Sequence, residues 1–228
     1  KKAIGTGLMV IIAVGLVKNL ASAWSGETTA ARNEETTAEI EALAPVSLQL
    51  VDAAIADLSL GWSGMSQSQR ETFLLMYDPA RTGDVDDAYV EQVLANYYKI
   101  RQTLAGEIAV AYAPDNENCE GQRLYFTDLT RLYVCPYFFE EANQLRKART
   151  LIHEAAHIAL LAVDRAYYRP TSKQYAQLTP NGSPLTRLPL AGRLLRELLR
   201  GDTLFHPDAY AHFALQNAGF TNIYAKDL

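Results

Sequence analysis

The sequence predicts an α+β domain, in which a small and mostly antiparallel sheet lies between N-terminal helices and C-terminal helices. Two changes of hydrophobic period support this fold class. Apolar residues first recur at helical spacing, then at the spacing of short strands, and then at helical spacing again. The predicted helices are residues 46–60, 66–76, 86–104, 143–161, 190–200 and 207–218, and the predicted strands are residues 107–113, 123–126 and 132–135.

Residues that favour turns mark the boundaries of these elements. Gly61 ends the first helical pattern, and Pro79 follows the second. Turn formers at residues 114–116 and 127–128 separate the three predicted strands. The segment 169–189 contains four prolines and has little periodicity, so we expect a long loop or an insertion there.

The first residues have the order of segments found in a secretory signal peptide. Lys1 and Lys2 precede an uncharged run at residues 3–17, and small residues follow at 21–23. The run is 15 residues long, which is shorter than the roughly 20 residues that span a bilayer as a helix. We therefore expect residues 1–23 to be a signal peptide or membrane-associated segment, with an uncleaved anchor and a buried helix as alternatives.

This N-terminus predicts a secreted or extracytoplasmic protein, or alternatively a membrane-anchored one, with membrane contact only through residues 3–17. Residues 26–41 are rich in Thr, Ala and Glu, which is typical of a flexible linker or a weak helix. We accordingly expect a linker or pro-segment at residues 24–41 and the main domain at residues 42–228. The chain of 228 residues is long enough to bury one sizeable core.

The charge balance argues against a protein that binds nucleic acid. The net charge is −5 and the pI is about 5.4, and the sequence contains no clustered Lys and Arg of the kind that neutralises phosphates. An acidic protein is better suited to a positively charged peptide substrate.

One motif in the sequence is typical of a catalytic metal site. His153 and His157 are four residues apart in a predicted helix, and Glu154 lies between them in the pattern His-Glu-Ala-Ala-His. Residues with this spacing share one helix face, about 6 Å apart along the axis, so both imidazoles can bind one ion. This is the zinc signature of metallopeptidases, in which the Glu is the general base for a metal-activated water. The sequence therefore predicts one Zn²⁺ per chain.

A catalytic zinc needs a third protein ligand, and the sequence offers several candidates. The candidates are Asp164, Glu197, His206, Asp208 and His212. Asp164 comes seven residues after His157, which is about 10 Å further along a straight helix and too far to share the ion. If Asp164 is the ligand, the helix must end near Leu161 and the chain must fold back.

The segment from about residue 60 to 217 resembles the deuterolysin or aspzincin family of zinc metalloendopeptidases, which includes the peptidyl-lysine metalloendopeptidases. The resemblance rests on the His-Glu-x-x-His motif, on Asp164 and Tyr167 after it, and on the segment Pro207–Phe213. It implies a zincin-like fold in which Asp164 is the third zinc ligand. It also implies that Tyr167 assists transition-state stabilisation.

The turn after the motif departs from the family pattern. Leu161 and Ala162 stand where the family has Gly-Thr, and Tyr168 stands where it has a final Gly. Glycine normally supplies the positive φ that a sharp reversal of the chain uses. This turn must therefore be made without the usual glycines.

The resemblance also implies a disulfide and a substrate-binding strand. The sequence by itself leaves Cys119 and Cys135 open as a disulfide or as two separate thiols, and in the resembled family the matching cysteines are paired. The segment Leu132–Cys135 resembles the edge strand of the family. Tyr133 and Val134 are therefore expected to bind extended substrate by backbone pairing.

Asp208 has two interpretations. In the lysine-specific members of the resembled family, the matching Asp lines the pocket for the residue after the cut, which implies a preference for Lys or Arg there. A carboxylate at this position is equally suited to orient a zinc-bound histidine, by accepting a hydrogen bond from the ring nitrogen that does not bind zinc. An acidic residue in the first turn of a helix is also favoured by the helix dipole alone.

Together these features predict a zinc-dependent endopeptidase that acts on peptides or proteins. One alternative is a catalytically silent binding module with a zincin fold, and another is an effector or toxin peptidase with one dedicated protein target. Glu154 favours an enzyme over the silent module, because a structural zinc site does not need a base beside an open coordination position. A narrow cleavage pattern on a mixture of peptides would indicate the dedicated peptidase.

Overall fold

The computed structural model describes residues 5–78, 85–121, 123–162, 166–169, 174–177 and 206–220, with side chains from residue 30 onward except in 166–169 and 174–177. The helices are α1 Gly5–Leu58, α2 Gly61–Gly64, α3 Gln67–Tyr77, α4 Asp87–Ala105, α5 Tyr137–Glu140, α6 Gln144–Leu160 and α7 Pro207–Asn217. The strands are β1 Val110–Tyr112, β2 Tyr125–Thr127, β3 Leu132–Val134, β4 Ala166–Arg169 and β5 Gln174–Gln177. This arrangement confirms the α+β class, and the helix predicted at residues 190–200 lies outside the described residues.

Polar side chains in the sequence set where the helices begin. Ser66 and Gln69 form a capping box at the start of α3, and Asp86 and Asn143 cap α4 and α6 by accepting hydrogen bonds from backbone N–H groups. Each cap satisfies a donor that the first turn of a helix leaves without an intrahelical partner. These three helices therefore start within two residues of their predicted positions.

Helix α1 runs through the residues predicted to form a linker or pro-segment. Within it, Thr36 and Ile40 are buried. The Asn33 carboxamide oxygen accepts a hydrogen bond of 2.7 Å from the backbone N–H of Tyr112 in β1. This part of α1 thus packs against the sheet, and no break in the helix separates it from the domain that follows. Among the described residues, none of the helices combines the length and apolar character needed to cross a membrane.

Strand β3 is the middle strand of a three-stranded sheet with the order β1-β3-β2. It pairs with β1 in parallel and with β2 antiparallel, and β4 and β5 form a separate antiparallel pair. The three-stranded sheet is therefore mixed, with one parallel and one antiparallel pairing, and not mostly antiparallel as expected. Strand β5 lies within the segment 169–189, so the prediction of a loop throughout that segment is wrong.

The prediction that β3 is an edge strand is also wrong. Tyr133 lies opposite Phe126 in the pairing with β2. On the other side, the carbonyl of Val134 accepts a hydrogen bond of 3.0 Å from the backbone N–H of Ala113. With both sides paired, Tyr133 and Val134 have no backbone groups left for an extended peptide. Strand order depends on long-range pairing, which the local pattern of residues does not encode.

Helix α7 is held against α3 and α4 by a buried aromatic cluster. Ring centroids within it are 4.9 to 6.1 Å apart; its members are Phe73, Tyr77, Tyr97, Tyr210 and Phe213. The Tyr97 hydroxyl donates to the Tyr210 carbonyl at 2.7 Å, and the Tyr210 hydroxyl accepts from the Asn96 carboxamide at 2.8 Å. A buried polar group that loses its partner destabilises the fold, so these bonds fix the rotation of α7 about its axis.

The disulfide between Cys119 and Cys135 is present, as predicted, with the two Cα atoms 5.2 Å apart. It joins a short 3-10 turn, Glu117–Cys119, to the residue that follows β3. The backbone N–H of Cys135 also donates to the carbonyl of Leu124 at 2.9 Å, which extends the pairing of β2 with β3. The disulfide therefore secures the end of the sheet at which this pairing begins.

Helix α6 ends at Leu160, and the chain reverses at Leu161. Leu161 has φ 51° and ψ 35°, in the left-handed region, and its side chain is 72 % exposed. The reversal brings the carbonyl oxygen of Ala162 to 2.8 Å from Nδ1 of His157. The expected end of the helix near Leu161 is thus confirmed, and leucine holds the backbone conformation that glycine normally supplies.

We expect Leu161→Gly to stabilise the protein by about 1 kcal/mol, because glycine adopts left-handed φ values without the steric cost of a Cβ atom. The exposed leucine side chain contributes little to the core. Leu161→Ala is the matched control, since it removes the same side chain but keeps Cβ, and it should give no comparable gain. Urea unfolding of the three proteins measures the difference; an equal gain in the alanine variant would contradict the conformational explanation.

Candidate metal centre and active site

His153 and His157 lie one turn apart on the buried side of α6. Their exposed fractions are 6 % and 8 %, and that of Glu154 is 7 %. The Nε2 atoms of the two histidines are only 3.1 Å apart. The four-residue spacing therefore brings both ring nitrogens to one small region, as the sequence predicted.

The outer nitrogens of both rings are held by acceptors. His153 Nδ1 is 3.0 Å from Oδ1 of Asp208, and His157 Nδ1 is 2.8 Å from the carbonyl oxygen of Ala162. Burial raises the pKa of Asp208, but the hydrogen bond from His153 and electrostatic interactions with His153, His212 and Arg149 outweigh it and hold that pKa well below its usual range. An ionised carboxylate and a carbonyl only accept, so both rings are protonated on Nδ1. Both Nε2 atoms consequently carry lone pairs.

This arrangement fits a zinc ion. Two lone pairs that face each other at 3.1 Å repel unless a cation or proton lies beside them. Two nitrogens that bind one tetrahedral zinc at about 2.0–2.1 Å lie roughly 3.3–3.4 Å apart, close to the observed separation. Hydrogen bonds from Nδ1 to a carboxylate and a carbonyl are also the usual means of orienting metal-binding histidines.

The third ligand does not come from the described residues. Among them, no group of three or more His, Cys, Asp or Glu side chains is placed to hold a metal. Nε2 of His212 is 3.0 Å from Nη1 of Arg149, and Asp208 faces the outer nitrogen of His153. His206 is buried directly before α7 and joins no such group. The structure therefore gives no support to His206, Asp208 or His212 as a ligand.

The remaining ligand candidates, Asp164 and Glu197, lie outside the described residues. The chain is described again from β4, and the backbone of Tyr167 pairs there with Ala176 of β5. Strand β4 also contacts α7, so the chain does turn back toward the helices after α6. The predicted roles of Asp164 as ligand and of the Tyr167 side chain stay predictions.

Asp208 lies beside Nδ1 of His153. Its side chain is 3 % exposed, and one carboxylate oxygen is engaged with His153. Of the interpretations that the sequence left open, this geometry favours the carboxylate that orients a metal-binding histidine. The position of Asp208 gives no support to a pocket for a Lys or Arg side chain.

Tyr125 is a buried residue whose electrostatic influence from Glu154 could not be predicted from the sequence. It belongs to β2, and its buried hydroxyl has no hydrogen-bond partner in the part of the chain that the structure describes. Burial raises the pKa of Tyr125 well above its usual value, and the charges of Glu39 and Glu154 raise it further. Tyr125 therefore lies within electrostatic reach of Glu154. The sequence placed Tyr125 in a strand, but no local pattern connected that strand to the motif.

Sequence reasoning also missed the partners of the basic residues in the first turns of α6. Lys147 is buried, and its Nζ lies 4.1 Å from the ring centroid of Phe138 and 4.0 Å from Glu39. Arg149 contacts His212, which is 63 positions later in the chain. A charged run ordinarily indicates a solvated helix face, and no local signal identifies a partner so far along the sequence.

Comparisons with known proteins do not assign the chain to a family. No protein-family model matches the sequence, and no curated protein matches it significantly. Among solved structures, the chain is similar to a zinc peptidase from Grifola frondosa, with 12 % identity and a TM-score of 0.47, over 81 % of this chain and 96 % of that one. A likeness this distant says nothing about individual residues.

We expect the purified protein to bind one zinc ion, and His153→Ala and His157→Ala to abolish stoichiometric binding, because each removes one of two converging nitrogens. Metal analysis after dialysis, with competition by a chromogenic chelator, measures both. Glu154→Gln is the control, since it changes the neighbouring charge without removing a predicted ligand, and it should retain zinc. Stoichiometric zinc in the His157→Ala protein would refute this metal site.

Proposed function

We propose that the protein is a zinc-dependent peptidase whose active site lies between the Nε2 atoms of His153 and His157 and the carboxylate of Glu154. The observation that carries this proposal is the matched orientation of the two histidines. Each Nδ1 is bonded to an acceptor, and the two Nε2 atoms face each other at 3.1 Å. A buried glutamate that follows His153 in the helix, here Glu154, is what hydrolysis needs and a structural metal site does not.

Zinc bound there would polarise a peptide carbonyl and lower the pKa of a water molecule to about 7. The Glu154 carboxylate accepts the proton of the water that attacks the carbonyl, and then delivers it to the leaving amine nitrogen. Asp208 and the Ala162 carbonyl keep the histidine rings turned toward the site. By the family resemblance, Asp164 completes the ligand set and the Tyr167 hydroxyl donates a hydrogen bond to the developing oxyanion.

We infer that the substrate binds in extended form along the outer edge of β2. A backbone bond of 2.9 Å joins Leu124 to the strand partner, and bonding alternates along an antiparallel pair, so Leu124 and Phe126 face β3. The backbone groups of Tyr125 and Thr127 then face outward. Strand β2 contacts α6, the helix that carries the motif, which supports this edge as the one beside the reacting bond.

We further propose an extracytoplasmic location and protein or peptide substrates. The disulfide between Cys119 and Cys135 supports that location, because such bonds persist in oxidising compartments. A preference for Lys or Arg after the cut is not part of the proposal, since Asp208 is buried and bound to His153.

We expect Glu154→Gln to lower kcat for peptide cleavage by about 10²–10⁴-fold or more, because the amide is unable to accept the proton of the attacking water. Cleavage of a proteome-derived peptide mixture, followed by mass spectrometry, measures activity and sequence preference together. Glu140→Gln, at an exposed position, is the control and should behave as the wild type. Zinc-loaded wild type that cleaves neither peptides nor proteins would instead favour a silent binding module.

We expect N-methylation of the substrate backbone to block cleavage at alternate positions. Only every second residue of an extended peptide directs its N–H toward the neighbouring strand, so methyl groups at those amides remove the bond and clash. A series of peptides that differ only in the methylated amide provides its own controls, because the intervening positions should be tolerated. If cleavage did not alternate between blocked and tolerated as the methylated position moves along the peptide, pairing with β2 would be ruled out.

A further inference from the structure

A cavity of about 450 Å³ lies between α1, the end of α4, β1 and α6. Its buried apolar part is formed by Ile40, Leu104 and Leu151. Leu151 is two residues before His153 on α6, and side chains two apart on a helix point to nearly opposite sides. The cavity is therefore distinct from the candidate metal centre. Its volume lies within the roughly 300–1,000 Å³ that is typical of ligand sites.

The outer edge of β1 forms one wall of this cavity. The carbonyl of Ala109 accepts a hydrogen bond of 2.9 Å from Leu132 of β3. Backbone groups alternate in direction along a strand, so those of Val110 and Tyr112 face away from β3. Asn33 accepts from the N–H of Tyr112, whereas the N–H and carbonyl of Val110, which lines the cavity, have no hydrogen-bond partner within the described part of the chain. The cavity thus offers one backbone donor and one backbone acceptor.

The wall that α1 contributes offers a further acceptor. Pro45 lies inside α1, and a proline has no N–H to donate to the carbonyl four residues earlier. That carbonyl belongs to Glu41, which lines the cavity. It therefore lacks the intrahelical donor that a carbonyl in the interior of a helix normally has. A ligand with N–H groups is suited to this wall.

The mouth of the cavity carries negative charge. Glu41 and Glu107 are exposed and line it from α1 and from the segment that follows α4. Of the described residues that line the cavity, none is basic. A concave site with charges of one sign and apolar walls attracts a ligand of the opposite charge. The cavity therefore favours a cation that is attached to an apolar group.

We propose that this cavity binds a short extended segment of a partner polypeptide, in which an apolar residue lies next to Lys or Arg. The backbone of the segment pairs with Val110, as in the addition of a strand to the edge of a sheet. The apolar side chain occupies the buried part of the cavity, and the basic side chain interacts with Glu41 and Glu107. Binding there does not require that the protein cleave peptides.

Calorimetric titration with a defined peptide tests the proposal. The probe is acetyl-Lys-Val-Leu-Val-Lys-amide, added to the full chain with Glu154→Gln so that cleavage does not consume it. The control probe, acetyl-Glu-Val-Leu-Val-Glu-amide, has the same backbone and apolar residues but the opposite charge. We expect saturable binding of the basic probe and at least about 10-fold weaker binding of the acidic one, because like charges at an interface are strongly disfavoured.

Variants of the cavity locate the bound probe. Glu41→Gln combined with Glu107→Gln should weaken binding about 5-fold and reduce its salt dependence, since exposed ion pairs contribute modestly and are screened. Glu34→Gln combined with Glu91→Gln removes the same charge at exposed positions outside the cavity and should leave binding unchanged. Ala44→Phe fills the cavity from α1 and should weaken binding at least about 10-fold by steric exclusion.

Thermal unfolding establishes that the Ala44→Phe protein is folded. If it is not, the two pairs of glutamine variants still decide the question, because all four positions are exposed. Unchanged binding in a folded Ala44→Phe protein, or a loss of affinity that is equal in the two pairs, would overturn the proposal.

Other occupants give different results, and each would also overturn the proposal. Hexylammonium has a cation and an apolar chain but no peptide backbone, so displacement of the probe at equal concentration would identify a small cationic ligand. Self-association in sedimentation that Ala44→Phe removes, without binding of the probe, would identify a second copy of this chain. Equal affinity for both probes, or no binding up to about 1 mM, would exclude a basic peptide.

Discussion

Helix α6 has most of its residues buried although it carries ionisable side chains, and this constraint determines what must surround it. Lys147, His153 and His157 are only 5 %, 6 % and 8 % exposed, and a buried polar group without a partner costs about 1–3 kcal/mol. Their partners come from different segments: the ring of Phe138 in α5, the carboxylate of Asp208 in α7 and the carbonyl that follows the helix. The polar side chains of α6 thus determine the positions of its neighbours together with the apolar core.

Helix α7 packs against the hydrophobic core on one side and contacts the candidate metal centre on the other. Tyr210 and Phe213 pack into the aromatic cluster shared with α3 and α4, while Asp208 and His212 face α6. A single helix of 11 residues therefore has one side fixed by rings and the other engaged with the candidate metal centre. A packing defect between α4 and α7 would accordingly change the position of Asp208, and with it the hydrogen bond to His153.

The sequence predicted features that depend on local spacing and missed those that depend on distant contacts. The starts of the helices and the convergence of His153 and His157 follow from helical periodicity, caps and the four-residue repeat. The central place of β3 and the contact of Arg149 with His212 depend on segments far apart in the chain, for which one sequence carries no signal. The reversal at Leu161 was anticipated, but leucine itself gives no indication of a positive φ.

Asn33 closes the outer edge of β1 when it accepts the backbone hydrogen of Tyr112. An uncovered edge strand is a template on which another chain adds a strand. Removal of the residues before position 42 would take away this cover and leave the outward N–H of Tyr112 in β1 without this acceptor. Self-association through the sheet would follow from such a truncation, in addition to any loss of folding free energy. The helical segment at residues 32–40 therefore helps to keep the protein soluble, because it covers the edge of β1.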